Sequence, residues 1–276
     1  MATTILINSN KGGVGKSAQC RELACALARA GWQVDVADMA PQGNTTRRFG
    51  IDRAALAAAG HPGTADLIDP TKNITYHQTL VPVEWDVPWT GNIRVAPSLN
   101  AINMQNRNLE AGRPGAERRL FAALRGQTED RHVVLIDTDP GMDHLMAVAL
   151  AAADGLLITV ELDYDAVEGG VNVVSYLNAN KVLMGLEDVR VVGVVVTKAR
   201  RELSATARVQ EENLPQAFAA AGGPELIWTP SVPLYDTLAA ALSDAQPLEA
   251  YNHPSARRLE DVFAAHAAQL VKAIGY

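Results

Sequence analysis

Apolar residues in this chain gather in short unbroken runs, separated by longer stretches in which they recur at helical spacing. The runs lie at Thr3 to Ile7, Gln33 to Asp38, Asn92 to Pro97, His132 to Asp137, Leu156 to Val160, Val191 to Val196 and Leu226 to Val232. Runs of this length read as strands, and those without polar alternation, His132 to Asp137 and Leu156 to Val160, predict strands buried on both faces. From Lys16 the pattern becomes helical, with Cys20, Leu23, Ala24, Leu27 and Ala28 on one side. Met142 to Ala153, Glu117 to Arg125 and Leu259 to Ile274 read as further helices, the second with Leu120, Phe121 and Leu124 inward. Strands alternating with helices predict an α/β fold, a mostly parallel twisted sheet covered by helices on both faces. No linker or internal repeat divides the chain, so residues 1–276 form one domain. Residues 51 to about 115 are its less regular part, with a helix from Ala54 to Ala59, a turn of helix at Ala65 to Ile68 and an edge strand at Val81-Pro82-Val83. Trp85 and Trp89 in that stretch are expected to pack onto the body rather than to form a partner patch.

Composition narrows this little. Apolar residues make up 48% of the chain and charged residues 20%, an ordinary globular balance. Cys20 and Cys25, five residues apart on one helix, fall on different faces, which argues against a disulfide or a metal pair. The six histidines show no ligand spacing. The start lacks a basic region followed by an apolar run, and no apolar stretch reaches the roughly 18 residues of a membrane span. A cytoplasmic protein is expected. A net charge of −7 excludes a chain basic over its whole surface, though not a local basic patch.

The chemistry concentrates after the first strand, in Lys11-Gly12-Gly13-Val14-Gly15-Lys16-Ser17-Ala18. Strand, glycine loop and helix together form a phosphate cradle: glycines let backbone N–H groups converge on an anion, and the helix adds its positive end. Lys16 is then expected on the β- and γ-phosphates, with the Ser17 hydroxyl on Mg²⁺. The run His132 to Asp137 ends in a carboxylate, and the C-terminal ends of parallel strands face the ligand crevice. Asp137 is thereby expected to reach the metal through water. The strict G-x-x-x-x-G-K-[ST] spacing is not met, because Asn10 stands where its first glycine would fall, and a second lysine, Lys11, opens the loop.

That second lysine resembles the signature lysine of the deviant Walker A P-loop NTPases, the family of the ParA partition ATPases, MinD and the nitrogenase iron protein. The resemblance extends to Asp38, Pro41, Gln42, Gly43 and Asn44, which match the family's D-x-D-P-Q-G-N. It also covers Glu161 to Gly169 and the segment Leu226 to Pro233, similar to the family's I-P-x-x-V. The resemblance implies ATP and Mg²⁺ as cofactors, with Ser17, Asp38 and Asp137 at the metal. It implies that Lys11 reaches the nucleotide of a second subunit, making an ATP-sandwich homodimer. Gly12 to Ala18 would line the phosphates, and Thr197, Lys198, Pro230 and Val232 would lie near the base.

Two departures bear on catalysis. The family's second aspartate is Ala40 here, which neither takes a proton nor holds a water, so ATP binding is expected with hydrolysis in question. Asp139 is an extra acid two residues past Asp137. It is a candidate substitute catalytic group beside Lys11 and Lys16, or else a cap on the helix that follows.

ParA proteins bind DNA without sequence preference and answer to a ParB-like partner. The matching cations are Lys198, Arg200, Arg201, Arg208, Arg257 and Arg258. The glycine loop begins at Lys11, so an additional N-terminal operator-binding domain is not expected. A MinD-like membrane regulator is disfavoured by the alanine-rich terminal helix, and an iron–sulfur ATPase by the absence of cysteines after Cys25. A nucleotide-gated dimeric scaffold with little hydrolysis is the alternative that Ala40 keeps open.

Overall fold

The computed structural model describes residues 3–100, 115–125, 131–141, 143–223 and 226–276. Residues 101–114, within the less regular stretch, and Met142, expected to open a helix, lie outside them. Among the described residues the strands are β1 (Thr3–Asn8), β2 (Gln33–Asp38), β3 (Val81–Pro82), β4 (Ile93–Ala96), β5 (His132–Asp137), β6 (Gly155–Val160), β7 (Arg190–Val196) and β8 (Ile227–Trp228). They form one sheet in the spatial order β3-β4-β2-β5-β1-β6-β7-β8. Every neighbouring pair is parallel except β3 on β4, the antiparallel edge.

The period-two geometry of strands sorts the apolar runs into two cores. Ile5, Ile7, Val34, Val36, Val133 and Leu135 face one side. Leu6, Ala37, Val134, Ile136, Leu156 and Ile158 face the other. The first side is covered by α1 (Lys16–Arg29) and the terminal helix α11 (Pro254–Ala273), and it also takes Trp85 and Trp89. Trp85 stacks on Phe49 and donates from Nε1 to the Ala245 carbonyl at 2.8 Å, so both tryptophans pack inward as expected. The second side is covered by α6 (Arg119–Leu124), α7 (His144–Ala151), α8 (Tyr164–Met184) and α9 (Ala205–Ala220). Helices α2 (Asn44–Arg48), α3 (Arg53–Ala58), α4 (Thr64–Leu67) and α5 (Tyr76–Thr79) are short, and α10 (Asp236–Ser243) precedes α11.

One irregularity shapes the far edge. Leu156 pairs with Val191 but Leu157 pairs with Gly193, so β7 carries an extra residue. Parity slips there, and Val192 and Val195 share a face with Trp228 while Val194 and Val196 face away. A Cβ on Gly193 would overlap the Trp228 indole, which donates to the Val192 carbonyl at 3.2 Å.

Helix α1 departs from the one-sided pattern. Cys20, Arg21, Glu22 and Cys25 are buried along with its apolar residues, so the helix is covered nearly all round, and both cysteines are free thiols. Arg21 tolerates burial because its guanidinium pairs with Glu22, bonds the Gln246 and Arg48 carbonyls, and lies over the Trp85 ring.

Candidate functional site

The loop from Ser9 to Gly15 joins β1 to α1 at the C-terminal end of the sheet, with β5 and β6 on either side of β1. Gly13 and Gly15 both have φ near +81°, a backbone that residues with a Cβ rarely adopt, which is why glycine stands at each. Val14 between them is fully buried, and its carbonyl accepts from the Thr197 hydroxyl at 2.7 Å, fixing the loop to the end of β7. Gln19 N–H donates to the Gly15 carbonyl at 2.8 Å and starts the helix ladder. Gly12 passes Pro140, where a Cβ would sit 3.7 Å from its ring.

The two lysines have opposite surroundings. Lys16 is buried and its Nζ donates back to the Lys11 carbonyl at 3.3 Å, curling the side chain over the loop. Burial lowers its pKa, against the charges of Asp137 and Asp139. Lys11 is half-exposed and its Nζ meets Asp163 Oδ1 at 2.6 Å. The bond to Asp163 raises the Lys11 pKa. Asp163 also caps α8 through the Ala166 N–H at 2.9 Å; burial pushes its carboxyl up, but the Lys11 bond and the cap bring it below the usual carboxylate range.

Asp38 and Asp137 end adjacent strands in register, and both are fully buried. Burial, and then Asp137, push Asp38 up to about 7. Its oxygens are already engaged: Oδ1 accepts from Ala40 N–H at 3.1 Å, and Oδ2 from Thr46 N–H and hydroxyl at 2.8 and 2.7 Å. Burial likewise raises Asp137, whose Oδ2 accepts from the Thr45 hydroxyl at 2.6 Å. Its Oδ1 is buried without a hydrogen bond of ordinary geometry, although the nearby Ser17 hydroxyl lowers the group. Two buried carboxylates side by side, one with a free oxygen beside a serine hydroxyl, are an environment in want of a cation. Mg²⁺ suits this donor set, because it takes few protein oxygens and keeps waters and phosphate for the rest. Among the described residues no group of three or more His, Cys, Asp or Glu forms an all-protein metal cage.

A cavity of about 310 Å³ opens beside this centre. Its polar end is lined by Gly13, Gly15, Lys16, Ser17, Ala18 and Asp139, all expected from the sequence. Thr197, Lys198 and Val232, read from the sequence as candidates near the base, also line it. Pro230 does not: its carbonyl accepts from His266 Nε2 at 2.8 Å, which turns it toward α11. Pro233, Leu234, Tyr235, Leu238 and Phe263 take its place in the wall. Asn44 and Pro233 lie in segments that matched the family pattern, whereas Leu234, Tyr235, Leu238, Phe263 and, near the polar end, Arg48 escaped the sequence reading. Tyr235, Leu238 and Leu242 do carry a signal, the i, i+3, i+7 spacing of a helix face; Arg48 carries none. Arg48 is half-buried, and burial lowers its pKa against the pull of Asp137. Asp139 is half-buried beside Lys16 and raised by burial and by Asp137. It does not cap the following helix; Asp143 does, accepting from Met146 N–H at 3.0 Å. Ala40 is buried and brings no acceptor side chain to the site.

The basic candidates divide. Lys198 pairs with Glu161 at 2.9 Å and belongs to the cavity rather than to a free cationic surface. Arg200, Arg201 and Arg208 are exposed around the end of β7 and the start of α9. Arg257 and Arg258 are exposed on the first turn of α11, with Arg258 beside Tyr235 and Asp236. The segment between these groups is tied to the first by the Leu234 N–H on the Ala199 carbonyl at 3.0 Å, so both border the same edge of the molecule.

The AAA_31 family model, described as an AAA domain, matches residues 2–183. The chromosome partitioning protein ParA of Myxococcus xanthus is 31% identical over 75% of this chain and 69% of its own length. The chain belongs to the ParA family of partitioning ATPases. Among solved structures, the ATP complex of an aspartate-to-alanine variant of Cyanothece McdA superposes with a TM-score of 0.81 at 20% identity, covering 98% of this chain and 96% of that one. Cobyrinic acid a,c-diamide synthase from Mycobacterium smegmatis, with an ATP analogue and magnesium, gives 0.76 at 19% identity over 100% of this chain and 96% of that one. The fold thus recurs across proteins of different purpose. Among the described residues of this chain, no helix is long and apolar enough to cross a membrane.

Proposed function

We propose that this ParA-family chain binds ATP with Mg²⁺, pairs with a second copy across the nucleotide, and in that state holds non-specific DNA until a ParB-like partner releases it. The observation that carries the reading is the contrast between the two loop lysines. Lys16 is buried over its own loop, where it would neutralise the β- and γ-phosphates. Lys11 stands half-exposed at the mouth with no anion of its own to serve except Asp163. An exposed ion pair of this kind contributes little stability, roughly 0–1 kcal/mol, so Lys11 is free to exchange Asp163 for a phosphate offered by a partner.

Ser17, Asp38 and Asp137 would hold the metal, with Thr45 and Thr46 orienting the two carboxylates. The bound ion supplies charge neutralisation for the phosphates and for the acid pair. The backbone N–H groups of Gly12 to Ala18 orient the phosphate chain, and the apolar end of the cavity excludes water from the base. With Ala40 in the family's aspartate position, no side chain there positions an attacking water, so hydrolysis is expected to be slow. Asp139, half-buried in the cavity wall beside Lys16, is the candidate that restores some of it.

Size-exclusion mass measurement with ADP, ATP and a non-hydrolysable analogue tests the reading. The wild type is expected to dimerise with the analogue and Lys11→Ala to stay monomeric; a monomeric wild type would refute the sandwich. Ala40 also favours a second reading, a nucleotide-gated scaffold that barely hydrolyses ATP. Phosphate release measured with and without DNA separates the two, and equal rates for Asp139→Ala and wild type would remove Asp139 from the mechanism.

A further inference from the structure

Arg48 is the cavity residue that neither the family pattern nor the wiring of the fold accounts for. It is the last residue of α2, and it shares the cavity wall with Lys16, Ser17, Asn44 and Asp139. Its neighbour Arg47 points outward, exposed, and bonds the Asn44 side chain. The Arg48 guanidinium takes no hydrogen bond or ion pair among the described residues. Half-buried cations without a partner are costly, and proteins keep them where a ligand supplies the counter-charge.

Its position is set in advance. The Arg48 carbonyl accepts from Arg21 Nε at 3.1 Å, and Arg21 is itself fully buried, held by Glu22, the Gln246 carbonyl and the Trp85 ring. Arg21 belongs to the helix that opens the glycine loop, so the end of α2 is fastened to the same element that carries Lys16 and Ser17. The acids whose charge Arg48 feels are Asp137 and Asp38. A metal ion bound between those carboxylates would take up their charge and leave the guanidinium facing the cavity alone.

We propose that Arg48 is a nucleotide contact supplied by the same chain, its guanidinium bonding the phosphate chain of the ligand in the cavity. This rests on the nucleotide reading above, and it adds a third cation to the two loop lysines. Guanidinium suits the task, since its planar fork matches phosphate oxygens at two points where an ammonium offers a point charge. Losing one charge-assisted bond of this kind is expected to weaken binding about tenfold to hundredfold.

The test is calorimetric titration of ATP with Mg²⁺ into wild type, Arg48→Gln, Arg48→Lys and Arg47→Gln, each also melted without ligand. Arg48→Gln is expected to lose about tenfold or more in affinity, Arg48→Lys less, and Arg47→Gln nothing, with unliganded melting points unchanged because the guanidinium holds no fold contact. Wild-type affinity in Arg48→Gln overturns the proposal. An equal loss in Arg47→Gln also overturns it, since the effect would then be general charge. A wild type that binds no ATP refutes the nucleotide reading itself, an outcome distinct from either.

Discussion

The two ends of the cavity are built on opposite principles. The polar end is crowded with charge: Asp38 and Asp137 repel each other at adjacent strand ends, Lys16 is desolvated beside Asp137, and burial and then Asp137 push Asp139 up against the pull of Lys16. The other end is mostly apolar, with Leu234, Leu238 and Phe263 on α10, α11 and the loop before them, and Lys198 there is held by Glu161. Charge in a low dielectric is sensitive to single substitutions, whereas an apolar wall shares its contribution among many contacts. The polar end should therefore fail abruptly and the apolar end by degrees.

The sharpest way to break the comparison is Lys16→Gln. The side chain is buried above two carboxylates, so the substitution removes the cation meant for the phosphates and leaves the acids uncompensated. ATP affinity by calorimetry is expected to fall by roughly a thousandfold, the equivalent of about 4 kcal/mol. A loss of only a few-fold would mean that the polar end is no more fragile than the apolar one.

The same contrast explains what could be read from the chain before its fold was known. The polar end lies in short contiguous segments, Lys11 to Ala18, Asp38 to Asn44 and Asp137 to Asp139, where residue type and spacing are dictated by an anion and a metal. The sheet was equally legible, because a parallel strand buried on both faces reads as a near-continuous apolar run, as Val133 to Ile136 does. The apolar end is assembled from residues up to 66 positions apart, Thr197 to Phe263, and an apolar residue lining a cavity looks no different from one in a core. Helix α9 left little trace, with Leu214 and Phe218 its buried residues, a glutamate pair at Glu211 and Glu212, and Pro215 inside it. Pro230 shows the same limit: its letter matches the family segment, but the bond its carbonyl accepts from His266 is visible only in the fold.

His266 joins the terminal helix to the helix that opens the glycine loop and offers the next test. It is fully buried on α11, where its Nε2 donates to the Pro230 carbonyl and its Nδ1 meets Gln19 Nε2 at 3.2 Å, one turn into the loop helix. Burial lowers its pKa to about 4 from 6.5. Between those values the unfolded chain takes a proton that the folded chain refuses, so the contribution is whole above pH 6.5 and is lost as pH falls toward 4, with no further change below. The shift corresponds to about 3 kcal/mol at most. Urea denaturation of wild type between pH 7.5 and 4 is expected to show this loss, and His266→Gln to lack it; parallel profiles would place the acid sensitivity elsewhere.

The smallest expected effect sharpens the comparison most, because it separates the ends within one ligand. Leu238 lines the cavity from α10 and is half-buried. Leu238→Asp removes apolar surface from the wall and adds a carboxylate where a base would lie, and a site of this kind gains on the order of 1–2 kcal/mol from such a side chain. ATP affinity is expected to fall about tenfold. Tripolyphosphate, which has the charges of the nucleotide and neither its base nor its sugar, should bind the variant and the wild type alike. Competition between the two ligands reads both numbers in one titration. If tripolyphosphate weakens in step with ATP, the carboxylate is acting through the field of the whole cavity, and its two ends are a single electrostatic unit rather than a charged cradle joined to a neutral slot.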